Sequence, residues 1–400
     1  MPIQHNYIDI FAGCGGLSVG LYNAGWKGLF AIEKNPDAFS TLKYNLIDTT
    51  HHFVWEDWLS VDAHDINALI HDKESELKAL RGTVQLVAGG PPCQGFSMAG
   101  KRNKDDLRNT LVDSYIQFIS LVKPEAIIFE NVHGFTVNFK DEGGSKKYSI
   151  YVEDELKKLG YNAQHRIIDM SDFGVPQKRR RFILVALLHH NPADVFSKLF
   201  ENKNTFCLSK NISTTTSVYD ALSDLEEKHG LLPSPDSKNF SAGVYGLPES
   251  NYQKLMRLGI DETASPVDSH RFVQHRQDTI NLHKKLQAEA PRGKRLRPNN
   301  PWVPEINRRG VTVLDPESQA PTITSIPDEL VHYSEPRILT VREQARLQSF
   351  PDWYKFKGRY TSGGPRRKQE VPRYTQVGNA VPPLFAEQIG IALLQVLNNE

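Results

Sequence analysis

Apolar and polar positions change period repeatedly along the first 190 residues of this 400-residue chain. Tyr7 to Phe11 is a short apolar run that enters a glycine-rich stretch. Leu17, Leu21 and Ala24 then fall three or four apart until Gly25. This is the pattern of a strand, a turn and a short helix stopped by glycine. Lys27 to Ile32 predicts a second strand ending at Glu33, and His52 to Trp55 a third apolar stretch ahead of Asp57. Residues 61–82 read as a charged helical connection. Leu86-Val87-Ala88 predicts a buried strand running into the Gly/Pro turn GGPPC (89–93). Leu111, Val112, Tyr115, Ile116, Ile119 and Val122 share one helix face.

EAIIFENV (125–132) is a further strand, and Ile150 to Leu159 an amphipathic helix closed by Gly160. A strand, a turn, the cluster Gln177-Lys178-Arg179-Arg180-Arg181 and an apolar strand to Leu188 then read as a hairpin-like pair. Strands alternating with helices predict a doubly wound α/β domain, with a mostly parallel Rossmann-like sheet and helices on both faces. The texture changes after His190. Residues 191–336 are rich in Asn, Ser, Thr, Pro, His and Arg, with short strand candidates such as Gly310–Leu314. Helical patterning returns over Thr340–Phe350. A Gly/Arg-rich connector (358–372) follows, then a loop and an apolar helix, QVGNAVPPLFAEQIGIALLQVL (376–397). That helix has no sheet partner of its own and is expected to pack back on the first domain. The expected division is 1–190 completed by 373–400, with 191–372 as a smaller irregular domain.

Charge sharpens this division. The net charge is only +1, yet Arg271 to Gly310 holds ten Lys/Arg against three Asp/Glu. A local basic excess suits a polyanion partner on one face, or a solvated loop. The three cysteines, Cys14, Cys93 and Cys207, are too far apart for a metal knuckle or a disulfide scaffold, and point to a reducing compartment. No zinc ligand set, P-loop, internal repeat or signal peptide is visible, and no run of 18 apolar residues suggests a membrane span.

The chemistry gathers at the predicted strand ends. Glycines between strand and helix let backbone approach a ligand closely. Gly13, Gly15 and Gly20 miss the dinucleotide spacing, so this loop alone fits any nucleoside-cofactor enzyme, or a plain tight turn. Glu33 suits a ribose diol, and Asp57 an adenine amino group; each could equally be a surface carboxylate. Cys93 and Glu130 end neighbouring strand candidates. Cys93 reads either as a buried structural thiol or as a nucleophile. A thiol near a carboxylate, without a histidine, is odd for a protease but sensible for attack on carbon 6 of cytosine. Addition there, helped by an acid at ring N3, makes carbon 5 nucleophilic enough to take a methyl group.

The order of motifs resembles that of the cytosine-5 DNA methyltransferases of bacterial restriction-modification systems. The segments are FAGCGG (11–16), GGPPCQGFS (89–97), ENV (130–132), QKRRR (177–181), RILTVREQARLQSFPD (337–352) and QVGNAVPP (376–383), spread over nearly the whole chain. The resemblance implies methyl transfer from S-adenosyl-L-methionine, leaving S-adenosyl-L-homocysteine, to carbon 5 of a flipped cytosine in a specific double-stranded DNA sequence. No metal is implied. It implies Cys93 as nucleophile, Glu130 as the acid at N3, and Arg181, with Arg179 beside it, as the family arginines. Phe11, Gly13, Gly15, Glu33, Asp57, Trp58, Leu111, Asn379 and Ala380 fall at cofactor-pocket positions. Pro92, Asn131 and Gln177 fall at positions that support the loops. The 191–372 region becomes a target-recognition domain. Arg108, Arg271, Arg276, Arg295, Arg297, Arg308 and Arg309 are candidate DNA contacts, with His270, Gln274, Arg292 and Thr324 beside them. A monomer in a prokaryotic cytoplasm, paired in function with a restriction endonuclease, is expected.

Departures are few: Lys34 stands where an apolar residue is common, and Glu56 where a small one is. A tRNA cytosine-5 methyltransferase shares the chemistry, and a catalytically silent DNA-binding protein is the alternative from another class.

Overall fold

The structure, a computed structural model, describes residues 5–92, 109–136, 139–141, 144–146, 148–261, 266–297, 301–302, 310–361 and 370–399. The chain divides into two compact units. One comprises Met1–Met170, Arg180–Lys203 and Phe385–Glu400; the other comprises Ser171–Arg179 and Asn204–Leu384.

In the first unit the elements are β1 (Asn6–Ile10), α1 (Gly16–Asn23), β2 (Lys27–Ile32), α2 (Pro36–Leu42), α3 (Ile66–Asp72), α4 (Glu74–Ala79), β3 (Leu86–Gly89), α5 (Asn109–Val122) and β4 (Ala126–Val132). A small hairpin, β5 (Phe139–Asp141) and β6 (Gly144–Lys146), precedes α6 (Tyr148–Lys158), β7 (Asn162–Asp169) and β8 (Arg180–Leu187). Helix α7 (Pro192–Ser209) starts in this unit.

Six strands form one sheet in the order β2-β1-β3-β4-β8-β7. The first four are parallel, and β8 runs antiparallel to both β4 and β7. Central parallel strands are covered on both faces, so they must be apolar at every position rather than at alternate ones. Leu86-Val87-Ala88 and Ala126 to Phe129 satisfy this and are buried throughout. Asp9 in the middle of β1 breaks the rule while being fully buried.

The apolar stretch at 52–55 is not a strand of the sheet. It lies beside β2 as an isolated bridge, Gly28 to Phe53, with Val54 N donating to Gly28 O at 2.9 Å and Trp55 N to Leu29 O at 2.8 Å, and His51 (φ 49°) and Trp55 (φ 62°) break the extended run on both sides.

The second unit has short elements: α8 (Val218–Leu222), the hairpin β9 (Leu231–Pro233) and β10 (Ser241–Gly243), α9 (Asn251–Met256), α10 (Gln277–Glu289), β11 (Thr312–Val313), β12 (Leu330–Val331), α11 (Val341–Leu347) and α12 (Arg373–Asn379). The segment expected as a loop at 376–379 is therefore the last turn of a helix. Buried charges organise this unit. Arg346 reaches Asp352 Oδ1 and Oδ2 at 2.6 Å each and both oxygens of Asp224 at 3.1 Å. Thr340 and Glu343 form a reciprocal cap at the start of α11, and Glu343 also receives Arg337 at 2.7 Å. His332, Glu335 and Glu343 bring ligand-type atoms within 4.8 Å of one another, with Arg337 bonded to both glutamates.

Helix α13 (Pro383–Leu397) ends the described fold. Trp26 donates its indole N–H to Gly390 O at 3.1 Å, and a Cβ at Gly390 would stand 3.0 Å from Ala24 and Leu21. The small residue lets α13 seat on the end of α1. Arg373–Leu397 is long and apolar enough to cross a bilayer, yet 72% of its apolar window is buried inside the protein, as in a core helix.

Candidate active site

β1 lies between β2 and β3, so the chain leaves β1 first to one side and later to the other. Ligands of open α/β sheets bind beyond the carboxyl ends of strands at such a reversal. The loops after β1, β2, β3 and β4 all open there, and antiparallel β8 brings its first residues to the same edge.

The loop after β1 is shaped by Gly13 (φ 57°) and Gly15 (φ 88°), and Phe11 itself takes φ 60°. Gly15 N donates to Ala12 O at 2.9 Å, and Ala12 N to Ile32 O at 3.0 Å, which ties the loop to the end of β2. Glu33 completes the tie: its two oxygens accept from Gly13 N at 2.9 Å and Asn35 N at 2.7 Å. Burial pushes the Glu33 carboxyl up, and these N–H donors pull it back down. A carboxylate has about four lone-pair positions, so capacity for further donors remains. A Cβ built on Gly13 meets no described atom within 4 Å, so the backbone there faces open space.

Phe11, Trp58 and Leu111, from three separate segments, pack half-buried against the same apolar core. Trp58 stands edge-on to Phe30 with ring centres 5.5 Å apart and donates to Glu56 Oε2 at 3.1 Å. Asp57 is exposed in the turn between them. Lys34, the departure beside Glu33, points its ammonium to Asp65 at 2.7 Å.

At the end of β4 the antiparallel register sets Arg181 opposite Val132 and Ile183 opposite Glu130. Residues two apart on a strand share a face, so Arg181 and Glu130 are diagonal neighbours. Arg181 Nε lies 3.1 Å from Glu130 Oε1, with side-chain exposures of 13% and 17%. Burial lowers the Arg181 pKa and the Glu130 charge opposes that shift. Arg180, one residue back, is exposed. Asn131 is buried and donates Nδ2 to Pro91 O at 3.2 Å, while its Oδ1 accepts from Val132 N at 2.8 Å. A Cβ at Gly90 would sit 1.8 Å from Glu130 O. The chain leading to the Pro-Cys turn therefore runs directly over the Glu130 backbone. Pro92 is the last described residue of that turn and is exposed; Cys93 and Arg108 lie outside the described residues.

Gln177, Arg179, Asn379 and Ala380 belong to the second unit. Gln177 is fully buried; its amide donates to Gln348 Oε1 at 2.9 Å and accepts from Ile323 N at 2.8 Å. Arg179 donates to Ile323 O at 3.2 Å and to Gly378 O and Ala380 O at 3.0 Å each. It thereby holds the C-terminal end of α12, where Asn379 is exposed and Ala380 buried.

The basic candidates separate into different environments. Arg276 and Arg297 are exposed, Arg295 pairs with Glu329 at 2.7 Å, and Arg271 is half-buried between two rings. Arg308 and Arg309 lie outside the described residues. His270 is not available to DNA: it is buried, with ring nitrogens 2.8 Å from Thr340 Oγ1 and 2.7 Å from Leu225 O. Thr324 is engaged by Glu329 at 2.9 Å, Arg292 by Tyr333 O at 2.7 Å and Gln274 by Asn239 O at 2.6 Å.

A family model for C-5 cytosine-specific DNA methylases matches residues 5–395. The chain belongs to that family. The methylase is 30% identical over 407 residues to the Type II methyltransferase M.DdeI of Desulfomicrobium norvegicum, covering 96% of this chain and 87% of that one. It is 29% identical to M.XorII of Xanthomonas oryzae pv. oryzae, covering 98% and 85%. Among solved structures, a DNA modification methyltransferase encoded within an E. coli prophage matches in fold with TM-score 0.66 at 23% identity, over 99% of this chain and 100% of that one.

One buried acid near the glycine loop belongs to none of the sequence motifs. Asp9 lies fully buried beneath the glycine loop, takes a 2.5 Å hydrogen bond from Ser18 Oγ, and is pushed up to about 7 by burial. A charged residue inside an otherwise apolar strand was the available signal.

Proposed function

We propose that the methylase acts through a covalent adduct between Cys93 and carbon 6 of a cytosine turned out of duplex DNA. S-adenosylmethionine, when bound, supplies an electrophilic methyl group on a sulfonium. The glycine loop, whose backbone faces open space at Gly13, and Glu33, which retains acceptor capacity, suit its nucleoside part. Phe11, Trp58 and Leu111 offer an apolar wall, and Asp57 an acceptor. The family resemblance assigns Asn379 and Ala380, at the end of α12 held by Arg179, to cofactor binding as well.

Cys93 thiolate bonds to carbon 6, and Glu130 donates toward N3 so that the ring can accept the electron pair. Carbon 5 takes the methyl group; a base, water included, then removes the carbon 5 proton. The electrons returning to the ring break the C6–S bond and release the thiolate. Arg181 holds the Glu130 carboxyl in place and donates toward the ring O2. Asn131 and Pro92 brace the turn carrying Cys93, and Gln177 braces the segment that carries Arg179. A base inside a duplex hides the face that a thiolate must attack, hence the extrusion. Residues 191–372 read the target, with exposed arginines neutralising phosphates. The enzyme works as a monomer in a prokaryotic cytoplasm and guards DNA against a cognate endonuclease.

The Glu130–Arg181 ion pair at the end of β4, where the Gly90 backbone packs against the Glu130 carbonyl, is the observation that most supports this reading. The test uses duplex DNA carrying 5-fluorocytosine at a site found by base-resolution mapping of 5-methylcytosine on a sequence-diverse plasmid. Fluorine cannot leave as a proton, so a stable protein–DNA adduct is expected, and Cys93→Ser should abolish both adduct and methylation while DNA binding persists. Normal turnover by Cys93→Ser would sink the mechanism; methylation of tRNA in place of DNA would sink the substrate.

A further inference from the structure

Residues 270–272 extend the β9–β10 hairpin as a short third strand. Arg271 bridges Ala242 in antiparallel sense, Phe272 N donates to Ser241 O at 2.9 Å, and Gly243 N to His270 O at 3.1 Å. Side chains on such a segment alternate between faces. His270 and Phe272 are buried, Phe272 under the Arg337 guanidinium at 4.5 Å, and Arg271 takes the opposite side.

There its guanidinium lies between two aromatic rings, 4.2 Å from the centre of Phe240 and 3.8 Å from that of Tyr360. Nη1 donates to Ser237 Oγ at 3.1 Å, and Nε is buried with no hydrogen-bond partner among the described residues. Four other buried arginines of this unit are treated differently. Arg257, Arg337, Arg342 and Arg346 each touch a carboxylate. The acid nearest Arg271 in charge, Asp236, is bonded to Arg373 at 2.6 Å and to Tyr360 Oη at 3.1 Å. Among the described residues Arg271 has no carboxylate of its own, and a half-buried cation is costly unless a further acceptor completes it. Two ring faces attract the cation and confine it to one plane, leaving its donors only in-plane directions.

We propose that Arg271 is a specificity-determining residue that reads a guanine of the target, donating from its clamped guanidinium to guanine O6 and N7 in the major groove. The planar fork matches those two acceptors, which a lysine ammonium cannot do. Phe240 and Tyr360 are positioning residues that hold the fork before DNA arrives. The inference rests on the duplex-DNA reading above. It separates Arg271 from Arg276 and Arg297, which are exposed side chains suited to phosphates.

The test compares wild type, Arg271→Lys and Tyr360→Leu on the mapped target and on duplexes in which each base pair is replaced in turn, across a salt series. Arg271→Lys should lower kcat/KM on the true target by about 10- to 100-fold and flatten discrimination at one G·C pair only. Tyr360→Leu should give a smaller loss at the same pair together with a lowered melting temperature, because its ring is buried and its hydroxyl bonds Asp236, whereas Arg271→Lys should leave the melting temperature little changed. Equal weakening on every duplex with a shallower salt dependence would make Arg271 a phosphate contact and overturn the proposal. Unchanged discrimination with a lowered melting temperature would make it structural glue and overturn it too. Failure of wild type to methylate any DNA would instead strike at the underlying reading.

Discussion

Arg181 Nε stands 3.1 Å from Glu130 Oε1, and the two residues reach each other because antiparallel β8 returns beside β4 in a register that leaves them diagonal. This contact engages one oxygen of the Glu130 carboxyl, and the mechanism proposed above assigns the other to a ring nitrogen. Glu130→Gln should lower single-turnover methyl transfer by about 10²- to 10⁴-fold, the range of a positioned general acid. DNA affinity should stay near wild type. An unchanged transfer rate would remove Glu130 from the mechanism.

Asn131 couples the end of β4 to the turn that precedes Cys93 through its bond to Pro91 O. Asn131→Ala leaves that buried carbonyl short of a donor, at about 1–3 kcal/mol. The expected signature is a fall in kcat larger than the change in the Kd for DNA. Equal loss in both would point to general destabilisation.

Gly90 is required by the approach to Glu130 O, where a Cβ would come within 1.8 Å of backbone that cannot rotate away. Gly90→Ala should destabilise the protein by about 3 kcal/mol, at the upper end of overpacking effects, or displace the turn. Denaturant melts together with methylation assays decide which; wild-type behaviour in both would contradict the close approach.

Asp9 gives a pH dependence with a definite sign. Burial pushes its carboxyl up to about 7, so the folded state holds a proton that the unfolded chain releases near pH 4. Stability should fall as pH rises through this window, by up to about 1.4 kcal/mol per pH unit. Asp9→Asn keeps an acceptor for Ser18 and should flatten that slope, making the variant the more stable protein at pH 8. Parallel melting-temperature profiles for the two proteins from pH 4 to 8 would show that Asp9 is not the group responsible.

Arg179 spans three carbonyls, Ile323 O, Gly378 O and Ala380 O. Lysine retains the charge but lacks the fork, so Arg179→Lys should cost about 2–3 kcal/mol. Hydrogen exchange should rise at the amides around residues 378–380. Exchange confined elsewhere would mean that the end of α12 is held by other contacts.

The sequence alone determined most of the sheet and the chemistry at its edge. Strands buried on both faces must be apolar at every position, so Leu86–Ala88 and Ala126–Phe129 announce themselves, and glycine-rich turns mark where they end. The order of segments from FAGCGG to QVGNAVPP carried the family likeness, because chemistry at a strand end needs particular residues in local order. The short elements between 191 and 372 were far less legible, since their packing depends on buried charges such as Arg346 with Asp352 nearby and with Asp224, which is more than 100 residues away in sequence. The helical state of residues 376–379, and the place of the apolar stretch 52–55 outside the sheet between two positive φ angles, were also decided outside local pattern. Tertiary structure alone distinguished the arginines. In the sequence Arg271, Arg276, Arg295 and Arg297 are equivalent cations; only folding sets one between Phe240 and Tyr360, pairs another with Glu329, and leaves two in water.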